Sequence, residues 1–174
     1  MTELNRRIRA VLDLNVALSR EEAGRHEYDG ALQDLSPAGV ATGLAAVTAA
    51  RESAPPLDDA HDEAHLRAFE DLQQVVYGDL ELHRRSPLQL LGELDVACYD
   101  KAYAPEAERF AARLRHLAGW PEAIDNGLAS LDRLSAPVAR ALAGGVRGLA
   151  AGVPGDIDPG IRDAALAAHA RFVA

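Results

Sequence analysis

A chain of 174 residues with 48 % hydrophobic side chains is long enough to bury one core without disulfide or metal staples, and too apolar to be a disordered polar polymer. Its formal charge of −9 repels phosphate backbones and disfavours a general nucleic-acid-binding role, so no nucleic-acid partner is expected. Aromatic residues make up only 5 %, alanine and leucine dominate the apolar content, and no run alternates as a strand does. The chain therefore predicts an all-α fold, a compact antiparallel array of about seven or eight helices forming one domain over residues 1–174.

The lone Cys98 leaves no intramolecular disulfide and suits a reducing compartment. It lies in an apolar helical stretch and reads as a small buried hydrophobe rather than a nucleophile. The N-terminus opens with charge and lacks the apolar centre of a signal peptide, and no apolar run approaches membrane-spanning length. A cytoplasmic location with no membrane partner is the expectation.

Along the chain, Thr2 can cap a first helix reaching about Leu18, with Leu4, Ile8, Val11 and Leu12 among its apolar positions. Arg6, Arg7 and Arg9 read as the solvated face of that helix, with a local anion site as the alternative. Ser19-Arg20-Glu21-Glu22 has capping-box spacing and restarts the chain as a short helix. Tyr28-Asp29-Gly30 reads as a tight turn, because Asp-Gly supplies positive φ. Ser36-Pro37 pairs an N-cap with a proline at the first helical position, and that helix runs to about Arg51 before Pro55-Pro56 stops it. From Leu57 to Arg85 no proline intervenes, and Leu66, Phe69, Leu72, Val76 and Leu80 recur at helical spacing, predicting one long helix bent at Gly78.

Ser86-Pro87 repeats the cap-plus-proline device and opens a helix through Leu88, Leu91, Leu94 and Cys98 that ends near Ala104-Pro105. The next helix passes through Phe110, Leu114 and Leu117 and is predicted to break at Gly119-Trp120-Pro121. Further helices are expected from Pro121 to Leu134, from Ser135-Ala136-Pro137 to about Val153, and from Asp158-Pro159 to the C-terminus. The recurring Ser/Asp-Pro device has no fixed period, so it is punctuation rather than a solenoid repeat.

Two histidines at i and i+4, His61 and His65, can share one helical face as metal ligands do. Asp62 stands where a zinc-peptidase helix carries glutamate, and no third ligand is identifiable. Asp62-Glu63-Ala64-His65 also resembles half of a di-iron element, without a second copy. An exposed, non-catalytic pair follows, with no metal site assigned and no cofactor; zinc is not supported by the motif. His83, Arg84 and Arg85 close a helix, where basic groups suit the carbonyl end, or else form a carboxylate-binding site. Tyr99 and Tyr103 share a face at i,i+4 and read as packing residues with hydroxyls at the surface, or as a pocket lining. His116 and His169 have no distinctive neighbours. The glycines of Ala143-Gly144-Gly145-Val146-Arg147-Gly148 lie inside a helical pattern and permit a close helix crossing rather than cradling phosphate.

The order Gly24-Arg-His-Glu-Tyr-Asp-Gly30, Leu32-Gln-Asp-Leu-Ser36-Pro37, then a long helix and Arg84-Arg85-Ser86-Pro87, resembles the N-terminal helical part of the DUF885 family of zinc-peptidase-like bacterial proteins. Leu114 to Leu128 and Pro137-Val138 look similar too. The resemblance covers most of this chain but only the first third or so of a full family member. It implies a helical domain lacking the metal-binding half, since nothing here matches the family's later H-E-x-x-P-G-H-like helix. It also implies a truncated homologue or an excised domain.

Three functions remain in view. The first is a stand-alone helical domain that binds a small molecule, a peptide or a partner protein. The second is a small enzyme, hydrolytic or biosynthetic, with acid–base residues in a helical pocket: His26, Tyr28 and Asp29 as catalytic candidates, and Glu27, His83, Arg84, Tyr99 and Tyr103 as ligand-binding candidates. The third is one subunit of a split metallopeptidase-like enzyme, or a homo-oligomer that completes its pocket with another chain.

Overall fold

The computed structural model describes residues 4–174, which fold as an all-α array with no strand among them. The expected cap at Thr2 lies outside the described residues. Instead, the Asn5 side chain accepts a hydrogen bond from the Arg7 N–H and opens α1 (Arg6–Asp13). The first helix does not reach Leu18. It stops at Leu14-Asn15, where the Asn15 side chain turns back to the Val11 carbonyl, and α2 (Val16–Glu21) follows. Ser19 is therefore inside a helix rather than capping one, and its hydroxyl donates to the Leu12 carbonyl across the break.

A 3-10 turn, His26–Tyr28, leads into Gly30 at φ +80°, as the Asp-Gly pair requires. Helix α3 (Pro37–Ser53) begins as expected, with Ser36 Oγ accepting from the Gly39 N–H and proline in the first turn. The expected long helix from Leu57 is shorter and interrupted. Asp59 caps α4 (Ala60–Gln73), which widens into a π-helical stretch, Gln74–Asp79, before the chain reverses through Glu81 at φ +47° into α5 (Leu82–Arg85). The stretch past Ser86-Pro87 is likewise divided, into α6 (Leu88–Leu94) and a 3-10 turn, Ala97–Asp100, that carries buried Cys98.

The expected break at Gly119-Trp120-Pro121 does not occur. Helix α7 (Glu106–Ser130) runs straight through Pro121. Its flanks explain the tolerance: Leu117, Trp120 and Ile124 are fully buried, and α7 forms the most extensive helix pair of the molecule with α9 (Pro159–Val173). Ala165 and Ala168 of α9 are fully buried and small enough to bring the two helices together. Burial along that pair outweighs the one backbone hydrogen bond that proline forfeits. Helix α8 (Ala136–Gly148) ends in a 3-10 turn, Leu149–Gly152. Between α6 and α7 the approach is closer than side chains allow, since a Cβ at Gly127 would lie 2.6 Å from Leu90 Cδ2.

Of the α1 arginines read as a solvated face, Arg6 is exposed and Arg9 half-exposed, but Arg7 turns inward. Arg7 is 2 % exposed and spans two carboxylates of α4: its Nε and Nη2 meet Glu70 at 2.7 and 2.8 Å, and its Nη1 meets Glu63 at 2.8 Å. Glu63 also accepts from the Leu57 N–H and from Arg67, and Arg51 of α3 lies 3.6 Å from Glu70. The Leu57 N–H, then Arg7 and Arg67, hold the Glu63 carboxyl at about 2, well below its ordinary range. Three helices are thus joined by buried charge. Arg7→Ala would leave Glu70 buried without its bidentate partner and should lower unfolding free energy by about 3–5 kcal/mol, whereas Arg67→Ala at the exposed rim should cost under about 1 kcal/mol. Urea unfolding of the two variants checks the contrast.

Candidate functional site

The Arg7–Glu63 and Asn15–Gln73 contacts, the latter 2.9 Å between Nδ2 and Oε1, set α1 and α4 side by side and running in the same direction. Val11, Leu66 and Tyr77 are buried at the floor of that seam, with Leu14 buried in the core beside them. The seam itself stays open. There Ile8, Leu12 and Leu18 face His65, Phe69, Leu72 and Val76 across a groove of about 760 Å³. Its lips carry Leu18, Phe69 and Leu72, which are 58 %, 54 % and 47 % exposed. The π-helical stretch supplies Val76 and Tyr77 to the wall, a placement common at functional sites because the wide turn re-aims side chains.

The polar groups along the groove are few. Asn15 and Gln73 bond to each other, and Ser19 is engaged by the Leu12 carbonyl. Gln89 of α6 is different, because its Oε1 is buried and has no hydrogen-bond partner. At the other end, the rings of His61 and His65 lie 4.3 Å apart and exposed, with Asp62 between them. Among the described residues no group of three or more His, Cys, Asp or Glu side chains is arranged to hold a metal ion.

The polar cluster singled out in the sequence is only partly one site. The fold brings His26, Asp29 and Tyr103 together, although more than seventy positions separate Tyr103 from the other two. Tyr103 donates to Asp29 Oδ2 at 2.8 Å, and His26 Nδ1 lies 3.5 Å from the same oxygen. The His26 ring stacks flat on Tyr103 at 4.3 Å, and Asp29 Oδ1 is buried without a partner. Burial, then the Asp29 carboxylate, push the Tyr103 hydroxyl well above its ordinary pKa. Tyr28 points elsewhere, donating to Asp13 at 2.5 Å and receiving Arg9. Glu27 is taken up by Arg25 and Arg9.

Tyr99 and Tyr103 do not share a helix face, since Tyr99 sits on the 3-10 turn and Tyr103 beyond it. Nor does the Tyr99 hydroxyl reach the surface. It accepts from the Gly30 N–H at 2.8 Å and faces His116 Nδ1 at 3.1 Å. Because His116 Nε2 meets the Glu93 carbonyl at 2.7 Å, that nitrogen carries the proton and Nδ1 accepts from Tyr99. His169 ties the Val146 carbonyl of α8 to α9 in the same way, at 2.7 Å. These two histidines, without evident partners in the sequence, are interior cross-links.

His83 and Arg84 are placed apart from both regions. His83 is buried at 7 % exposure with Nδ1 unpartnered, and burial lowers its pKa. Arg84 is engaged by Asp132 at 2.8 and 2.5 Å and by Glu81 at 2.6 Å, leaving no open carboxylate-binding fork. The groove residues, Gln89 above all, escaped sequence reasoning. Leu66, Phe69, Leu72 and Val76 do recur at helical spacing, but spacing alone does not distinguish a covered apolar stripe from an open one.

No family model, curated protein or solved structure matches the chain. No helix of the described residues is long and apolar enough to cross a membrane.

Burial, then the nearby Arg20 guanidinium, hold His116 neutral down to about 3, whereas an unfolded histidine takes up its proton near 6.5. Its contribution to stability is therefore whole above pH 6.5 and declines as pH falls from there toward about 3. The urea midpoint should drop across that window in the parent chain and follow a flatter course in His116→Gln.

Proposed function

We propose that this chain is a binding protein whose site is the α1–α2–α4 groove and whose ligand is a small molecule with a substantial apolar body. One observation carries the reading: an open groove of about 760 Å³ presents Leu18, Phe69 and Leu72 to solvent. Ligand sites of that size, mostly apolar with a few placed polar groups, bury most of a small ligand. Leaving three large apolar side chains exposed along one groove favours an occupant. The resemblance to the N-terminal helical part of DUF885 supplies an ancestry for this reading, and no metal-bearing helix enters it.

The neutral solvatochromic dye Nile red tests the reading. It should bind the parent chain with a blue-shifted emission. Leu72→Glu should weaken binding at least about tenfold, since charge in the groove would have to be desolvated. Phe110→Glu, on an exposed apolar residue outside the groove, should leave binding unchanged. Both changes fall on exposed side chains and should alter stability by no more than about 0.5 kcal/mol. Equal dye binding in all three chains sinks the assignment.

The His26–Asp29–Tyr103 cluster favours a second reading, acid–base catalysis. Asp29 lies 3.5 Å from His26 Nδ1, which leaves Nε2 of a half-exposed ring as the group a substrate would meet. On this reading the chain hydrolyses p-nitrophenyl acetate faster than equimolar free imidazole, and His26→Ala and Asp29→Asn each remove the excess without unfolding the protein. A rate no greater than that of imidazole rejects it.

A further inference from the structure

The head group of the occupant is legible in the polar chemistry of the groove, and this inference rests on the groove being the binding site. Among the described residues that line it, the formally charged side chains are Glu22 and Asp62, both carboxylates. No arginine or lysine lines it, and neither carboxylate has an ion-pair partner among the described residues. His61 and His65 flank Asp62 but bring no permanent cation. The chain as a whole carries −9. An anionic amphiphile would set its head against carboxylates with no cation to receive it, and a groove with low-dielectric walls strengthens that repulsion.

The second observation is independent of charge. Gln89 Oε1 is a buried acceptor with no donor, carried into the groove by α6, the helix that packs against α2. A buried acceptor left unpaired costs free energy that a ligand donor would recover. The other amides of the wall are satisfied within the protein, Asn15 on Gln73 and Gln73 on the Phe69 carbonyl. An N–H or O–H of a ligand would pair Gln89 Oε1. An alkylammonium answers both demands, because it carries three donors, no acceptor and a positive charge.

We infer that the groove takes a hydrophobic amine, with its apolar body between α1 and α4 and its ammonium head donating to Gln89 Oε1, in a groove whose formal charges are the carboxylates Glu22 and Asp62. Phe69, Leu72 and Leu12 hold the body, and the head stays at Gln89.

Isothermal titration of the full chain with dodecylamine, dodecanol and dodecanoate, each below its critical micelle concentration, separates the possibilities. Dodecylamine should bind tightest and dodecanoate at least about tenfold weaker. Gln89→Met, which keeps the shape and removes the acceptor, should weaken dodecylamine about tenfold, whereas Phe110→Glu, outside the groove, should leave it unchanged. Glu22→Gln should narrow the gap between amine and carboxylate. Dodecanoate binding as tightly as dodecylamine, or Gln89→Met binding the amine unchanged, overturns the head-group assignment and leaves the groove reading intact. Failure of all three probes and of Nile red overturns both.

Discussion

The Arg7 guanidinium is the constraint on which the rest of the molecule leans. It is buried against Glu63 and Glu70, with Arg51 reaching in from α3, so α1, α3 and α4 share one charged junction. Burying three or four charges is costly, and the arrangement is tolerable because both Glu63 oxygens are paired, Oε2 by Arg7 and the Leu57 N–H and Oε1 by Arg67 and Arg7, while Glu70 takes the Arg7 fork. That requirement for complete pairing fixes the register of α1 along α4. The register in turn sets which side chains face one another across the open flank of the seam. A slip of one turn would part Asn15 from Gln73 and close or misalign the groove.

A second buried carboxylate positions the far end. Glu93 of α6 accepts from the Ala17 and Gln33 N–H groups at 3.0 and 3.1 Å, and its burial raises its pKa above the ordinary carboxylate value. Helix α2 has no side-chain cap of its own, so Glu93 caps it from across the fold. This contact brings α2 against α6 and sets Leu18, Ser19 and Glu22 on the same groove as Gln89. Below it, the Gly30–Tyr99–His116–Glu93 chain of hydrogen bonds joins the early turn to α6 and α7. Structure and candidate site are therefore held by the same polar network.

The groove and the early polar cluster depart from simple interior-and-surface patterning in opposite ways. The groove leaves large apolar side chains in solvent with one buried acceptor unpaired. The His26–Asp29–Tyr103 cluster assembles polar groups at the surface, with one carboxylate oxygen buried and unpaired. Cores normally hide the first kind of group and satisfy the second. The groove is the stronger site because shape, exposure and an orphan acceptor coincide there.

Helix type and several helix starts were legible in the chain itself, because Ser36-Pro37 and Asp158-Pro159 act through local hydrogen bonds and a locked φ. Gly30 was legible for the same reason. Pro121 was misleading, since the local rule that breaks a helix there yields to the burial of Trp120 and its neighbours against α9. Arg7 looked like a surface residue until α4 supplied its carboxylates from more than fifty positions away. Half of the early polar cluster, His26 and Asp29, found its partner in Tyr103, and half was absorbed by Arg9, Asp13 and Arg25. What the sequence determined by itself is the all-α class and the punctuation of its helices, both set by interactions within a few residues. The groove, its orphan Gln89 and the burial of Arg7 were decided only by tertiary structure, because each depends on which helix faces lie together, and that is settled by burial and charge pairing across the whole chain.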